Sequence, residues 1–264
     1  MSTIMVLAVV LAASVSASQK MNPSRAKIVV LNPEKKIEVN AADMFHDEVE
    51  KRTRMGLDVV SKMPGADEVA ILIGTAGELA EKSYRPAAGR LLRLLQMSRD
   101  RVRIDSDVKV ATAPRYALRG HQFGHRPKTN SYDAWSLPMW GQYYRDMVVF
   151  GMSAIELIRP RSDDDDDSPH FPKRQLEMMV DMSQLAADYG LDVWIWYPAI
   201  DDDYTDEKTV QAALAERGEV FRSLSKIDAV FVPIQLCWEY QAKNHSILAV
   251  LCGELSGRAE GIYF

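Results

Sequence analysis

The stretch Tyr116–Asp133, YALRGHQFGHRPKTNSYD, decides how the rest of the chain is read. A short apolar strand breaks into a polar loop that carries an arginine, two histidines and an aromatic. From here the pattern becomes a steady alternation of strand and helix. Strand candidates begin near Tyr116, Ser153, Leu191 and Ile227, which are 37, 38 and 36 residues apart, a repeated βα unit without sequence repetition. The strands GMSAIELI, LDVWIWYP and IDAVFVP sit between amphipathic helices expected at Trp135–Phe150, Phe171–Tyr189 and Asp206–Leu224, with Gly151 and Gly190 as stops for the first two. Apolar strands flanked by such helices belong to a parallel sheet with covered faces.

Four βα units of this length suit half of an eight-stranded α/β barrel, whose full form takes about 250 residues. From Pro114 onward 151 residues remain. The spacing leaves two architectures open: a partial (β/α)8 barrel, or an open doubly wound sheet.

Upstream, KIVVLNP (Lys27–Pro33) is a strand ended by a turn, and Ala41–Val60 has helical spacing through Phe45, Val49 and Arg52 up to Gly56-Leu57. VAILIGT (Val69–Thr75) is a buried strand pattern. AGRLLRLLQMS (Ala88–Ser98) is a helix with Leu91, Leu92, Leu94 and Leu95 on its apolar stripe. These elements make a small α/β domain over residues 27–113, ahead of the barrel units at 114–233.

The ends of the chain are different in kind. Ile4–Ala13 is a ten-residue apolar run followed by Val15-Ser16-Ala17, which reads as a secretory signal cut before Ser18 and implies an exported protein. The alternative is a buried N-terminal strand or helix. A membrane span is not expected, because ten residues cover about 15 Å as helix against a hydrocarbon core of about 30 Å. Beyond Pro233, IQLCWEYQAKNHSILAVLCGELSGRAEGIYF brings both cysteines, Cys237 and Cys252, and loses the strand–helix rhythm. That tail, 234–264, reads as the mark of a truncation or a shifted frame.

Composition narrows the function classes. With 264 residues, 47% hydrophobic and a net charge of −5, the chain is long enough for a sizeable core and carries no basic footprint for nucleic acid. No metal is expected. Two cysteines around His245 fit no zinc spacing, and the acidic runs Asp163–Asp167 and Asp201–Asp203 lack the glycine and glutamate of a calcium loop. His121 and His125 are four apart, but Gln122 stands where a helical HExxH zinc site needs glutamate. No glycine-rich phosphate loop or nucleophile elbow is present, so no nucleotide cofactor is expected.

In a barrel the site lies where the strands end, so the candidates are read from those ends. Arg119 and His121 share one face of the first strand; an arginine grips a carboxylate or hydroxyl in a forked geometry, and a histidine beside it hydrogen-bonds or relays a proton. The plainer alternative gives Arg119 a structural acidic partner and leaves His121 capping the strand. Glu156, between Ile155 and Leu157, faces the barrel interior if those two face the helices, and a buried charge there needs a partner such as Arg119 or Arg159. It is then a substrate-binding carboxylate, an acid with a shifted pKa, or one half of a structural ion pair with Arg119. Trp194 is core by its depth in the third strand. Trp196 offers a flat apolar platform to the C–H face of a sugar, with Tyr197 and Asp201 just beyond it.

These residues resemble a carbohydrate-active architecture. ADMFHDEVEKRTRMGLDVV followed by DEVAILIGT resembles the small α/β domain that precedes the catalytic barrel in β-hexosaminidases of glycoside hydrolase family 20 and in α-glucuronidases of family 67. PRYALRGHQFGHRPKTNSYD is similar to the first barrel strand and loop of such glycosidases, and the match runs over Lys27–Pro233. The resemblance implies hydrolysis of O-glycosidic bonds by the complete family, a carbohydrate partner, and a sugar-gripping role for Arg119 of the Arg119-Gly120 pair. It departs in two places. Only Ala76–Ala87 separates the apolar strand from the leucine-rich helix where further strands are usual, and the general acid of the family comes from the fourth strand onward. Glu239 and Glu254 match no motif there. The expectation is therefore a glycoside hydrolase-like chain that lacks its catalytic acid. A non-catalytic carbohydrate-binding remnant and an open-sheet protein that binds a small solute are the alternatives.

Overall fold

A computed structural model describes residues 6–11, 23–65, 68–75, 87–105, 115–116, 118–121, 132–157, 172–196, 206–231 and 261–263. The chain divides into two compact units: residues 1–119, 143–153 and 188–190 form one, and 120–142, 154–187 and 191–264 the other.

The first unit is built on a four-stranded sheet. Its strands are β1 (Val6–Leu11), β2 (Lys27–Val30), β3 (Val59–Val60) and β4 (Ala70–Thr75), in the order β1-β4-β2-β3. β2 pairs parallel with both β3 and β4, whereas β1 pairs antiparallel with β4 from Val6↔Thr75 to Leu11↔Ala70. Within the apolar run read as a secretory signal, Val6–Leu11 forms strand β1. Val59 and Val60 leave the expected helix because their partners in β2 are Ile28 and Val29, and β-branched residues fit that pleated surface. Helix α1 spans Lys36–Thr53, starting and stopping earlier than its spacing suggests. It ends where Arg54 adopts a left-handed conformation at φ 60°. Ala42, Phe45, Val49 and Thr53 form its buried stripe; Arg52 is off that stripe and donates to Glu48 at 2.9 Å.

Helix α2 covers Ala87–Leu94, with Leu91, Leu92 and Leu95 buried and Leu94 half-buried. The end of the expected helix becomes instead a hairpin, β5 (Gln96–Ser98) with β6 (Arg101–Arg103), turned at Asp100 with φ 60°. Gly89 is a spacing device: a Cβ there would stand 2.6 Å from the backbone Cα of Val149, so only glycine lets the two backbones approach this closely.

The second sheet consists of β7 (Gly120–His121), β8 (Ala154–Leu157), β9 (Asp192–Trp196), β10 (Ala229–Phe231) and β11 (Gly261–Tyr263). All neighbours are parallel and the order is β11-β10-β9-β8-β7. That order settles what spacing left open. Right-handed crossovers that always step in the same direction place every helix on one face, as in a barrel, whereas a doubly wound sheet reverses its order and is covered on both. The tail read as arrhythmic supplies a fifth strand, because Gly261–Tyr263 pairs in register with Ala229–Phe231.

The connecting helices are α3 (Leu137–Val149), α4 (Gln175–Asp188) and α5 (Glu207–Ser223). Both expected glycine stops operate. Gly151 has φ 89°, its N–H donates to Val148 and that of Met152 to Met147, which ends α3 in a Schellman turn. Gly190 has φ 69°, and Leu191 donates to Ala186 in the same way. Asp206 caps α5 by accepting from the Thr209 N–H at 3.2 Å. Replacing Asp206 with alanine is expected to lower stability by about 1 kcal/mol, read as a lower denaturant midpoint at unchanged m-value. At the opposite end of α5, Lys226 binds Asp192 at 3.2 Å and Asp228 at 3.3 Å, and Asp228 accepts from Val193, which fixes the starts of β9 and β10.

No helix among the described residues is long and apolar enough to cross a membrane, and no group of three histidine, cysteine, aspartate or glutamate side chains among them is placed to hold a metal ion.

Candidate functional site

Side chains on neighbouring parallel strands share a face when their residues are in register, and alternate along each strand. The pairs Gly120↔Ala154, Ala154↔Asp192, Glu156↔Trp194, Ala229↔Trp194 and Phe231↔Trp196 therefore define one face. His121, Ile155, Leu157, Val193, Ile195 and Val230 define the other. On β9 and β10 the second face is fully buried while Trp194, Trp196, Ala229 and Phe231 stay half-buried. The buried face is the one the crossover helices cover. The half-open face carries Glu156, Trp194, Trp196 and Phe231, and corresponds to the interior of a barrel.

Glu156 is 3% exposed and sits where the alternation places it, between Ile155 and Leu157 of the helix-covered face. Trp194 lies beside it, and its indole reaches across Ala154 toward β7. A Cβ on Gly120 would stand 3.3 Å from the Trp194 Nε1 and 3.5 Å from the Ala154 Cβ. A side chain at the glycine of the Arg119-Gly120 pair would therefore crowd the indole, which would have to shift by a few tenths of an ångström. Trp196 is one step nearer the C-terminal strand ends, where barrel sites form.

Tyr132 lies within electrostatic reach of Glu156, although its residue type gave no separate signal in the sequence. Tyr132 is buried, 5.7 Å centroid to centroid from Trp140, which in turn packs edge-on against Trp135 at 5.0 Å. Burial pushes the Tyr132 phenol up to about 12, and the negative charges of Asp133 and Glu156 push in the same direction. It is therefore a protonated hydrogen-bond donor at neutral pH, within the field of two carboxylates. The sequence hint was position, since Tyr132-Asp133 ends the Tyr116–Asp133 stretch.

The remaining expected site residues fall elsewhere. His121 is exposed and pairs with Ile155, on the face opposite Glu156 and Trp196. The Arg119 Nε donates to Gly151 O at 2.9 Å and a terminal nitrogen donates to Tyr116 O at 2.6 Å. Its backbone N–H donates to the Ser153 Oγ at 3.1 Å. These bonds clasp the chain before β7 to the turn before β8, at the N-terminal ends of the strands. Tyr197 and Asp201 lie outside the described residues, as do His125, Arg159, the run Asp163–Asp167, both cysteines, Glu239 and Glu254.

The class defined by this geometry is a small α/β domain followed by the leading strands of an α/β barrel. Among solved structures it is shared by the family 20 β-N-acetylhexosaminidase of Streptomyces coelicolor A3(2), with a TM-score of 0.60 at 11% identity over 95% of this chain and 64% of that one. A mutant Streptomyces plicatus β-hexosaminidase in complex with its product GlcNAc aligns at TM-score 0.62 and 10% identity, with the same coverage of 95% and 64%. The Flavobacterium johnsoniae chitobiase aligns at TM-score 0.56 and 12% identity over 94% of this chain and 49% of that one. At these identities the likeness is one of fold, and the chain spans less than two thirds of each of these glycoside hydrolases. Neither a protein-family model nor a curated protein matches the sequence.

Proposed function

We propose that the half-open face of the parallel sheet binds a sugar, and that the chain is a glycoside hydrolase-like protein acting on or binding carbohydrate. The observation that carries this is the placement of Glu156, a buried carboxylate, on the same face as the half-buried Trp194 and Trp196. A carboxylate accepts sugar hydroxyls in charge-assisted hydrogen bonds, and an indole covers the apolar side of the ring. Tyr132 adds a donor. Tyr197 and Asp201 belong to the proposed sugar-binding set on the sequence reading alone. Arg119 keeps a sugar-binding role only through the sequence resemblance, and His121 only through its position two residues further along the sequence. The GlcNAc product of the Streptomyces plicatus neighbour makes N-acetylhexosamine the first sugar to try.

Hydrolysis takes two carboxylates, or one assisted by the acetamido group of the substrate. The proposal places the proton donor outside the residues assembled on this face, so the chain binds without turnover. Calorimetry with a panel of monosaccharides, run beside chromogenic glycosides, tests it. Binding without release of chromophore is expected. Failure to bind any sugar overturns the carbohydrate reading, and turnover abolished by a Glu156 substitution overturns the missing-donor part.

Export belongs to the proposal as well, and rests on the Ile4–Ala17 pattern alone. It gives a mature chain that begins at Ser18, readable by intact mass, and such a chain exposes the β4 edge that β1 otherwise pairs.

A further inference from the structure

The first sheet ends differently on its two sides. On one side the last strand is β3, two residues long. On the other, β1 pairs with all six residues of β4, from Val6↔Thr75 to Leu11↔Ala70. In a chain that begins at Ser18, β4 itself becomes this edge. Sheets blunt an exposed edge with charge, proline, a bulge or a very short strand. AILIGT, Ala70–Thr75, has no charge and no proline, and it runs in unbroken register with β1 and with β2.

Hydrogen bonds tell the two sides of β4 apart. The Lys27 N–H donates to Val69 O and the Leu31 N–H to Ile73 O, both at 3.0 Å, so the odd-numbered residues turn their backbone groups to β2. Ala70, Leu72 and Gly74 turn theirs to the edge. These three positions are symmetric about Leu72. A second β4 laid antiparallel across a two-fold axis through Leu72 sets Leu72 opposite Leu72 and Ala70 opposite Gly74, which gives every edge-facing group of the three residues a partner in both chains. An axis through Ile73 leaves Ala70 without a partner inside the strand. On one face of β4, Ala70 and Leu72 are buried with Val29, and Leu31 and Val60 pack partly buried against them. The axis through Leu72 joins two such apolar clusters.

We infer that the exported chain dimerises through β4, whose edge pairs with β4 of a second copy, and that β1 occupies this edge until it is removed. The inference rests on the export reading given above. An isologous contact of this kind uses the edge of both copies, and β3 is too short to extend the sheet from its far side, so assembly stops at two.

Intact mass and light scattering of the protein recovered after export test it. A chain that begins at Ser18 is expected to have about twice its chain mass in solution. Leu72→Cys, made in a chain that also carries Cys237→Ser and Cys252→Ser, supplies the second readout. Hydrogen-bonded antiparallel pairs stand about 5.5 Å apart at Cα, within disulfide reach, so this variant is expected to form a linked dimer on non-reducing electrophoresis. The same variant expressed without export keeps Val9 opposite position 72 and is expected to form none. A chain that begins at Ser18 and stays monomeric overturns the inference and leaves export standing. So does a dimer of the processed chain that Leu72→Cys fails to link, because its interface lies elsewhere. Linkage in the uncut chain overturns the role given to β1. An exported protein that retains Met1 overturns the export reading, and the inference with it.

Discussion

Replacing Trp140 by alanine is expected to cost about 3–5 kcal/mol of stability, the range for removing a fully buried large aromatic. Trp140 is completely buried on α3, with Tyr132 packed against it at 5.7 Å and Trp135 at 5.0 Å. Little can move in to fill the space, because the neighbouring rings are themselves fixed by the turn before α3, where the Trp135 N–H donates to Tyr132 O at 3.2 Å. Against a total stability of about 5–15 kcal/mol this is a large fraction. Urea denaturation gives the loss directly. The same substitution removes the wall behind Tyr132, so its effect on sugar affinity is expected to exceed that of Trp135→Ala, since Trp135 is only half-buried. A Trp140→Ala chain as stable as the wild type would show that this aromatic cluster is not a packing unit.

Glu156→Gln is expected to lower sugar affinity by about 10-fold to 100-fold, because a hydrogen bond to a charged group contributes about 1.5–3 kcal/mol and its neutral replacement much less. The side chain keeps its shape, so Tm is expected to move little. A second readout follows from the charges around Tyr132. Its phenol is pushed up first by burial and then by Asp133 and Glu156. Removing the Glu156 charge eliminates one repulsion against the phenolate, so ionisation of Tyr132 shifts to lower pH. Ultraviolet difference titration of the variant against the wild type measures the shift. An unchanged tyrosine titration would separate Glu156 from Tyr132, and unchanged affinity would remove Glu156 from the site.

Much of the second sheet could be read along the chain because its signals are local. The βα spacing, the glycine stops at Gly151 and Gly190 and the cap at Asp206 depend on backbone conformation or on hydrogen bonds within a few residues. The inward placement of Glu156 also followed from strand alternation alone. The first unit was harder for a definite reason. Val59–Val60 and Gln96–Ser98 carry patterns compatible with the ends of the preceding helices, and pairing with β2 and β6 decides them.

The sequence by itself determined the element types of the repeating units and the alternation that pairs Glu156 with the inner face. Only the tertiary structure decided between barrel and doubly wound sheet, because strand order is a relation between segments more than 30 residues apart, and periodicity within each segment is the same in both. It also decided which candidates meet. Register sets Glu156 beside Trp194 and Trp196 beside Phe231, turns His121 to the opposite face, commits Arg119 to backbone carbonyls, and brings Tyr132 into the field of Glu156. Face and neighbour are fixed by hydrogen bonds between strands, and no property of an isolated strand encodes them.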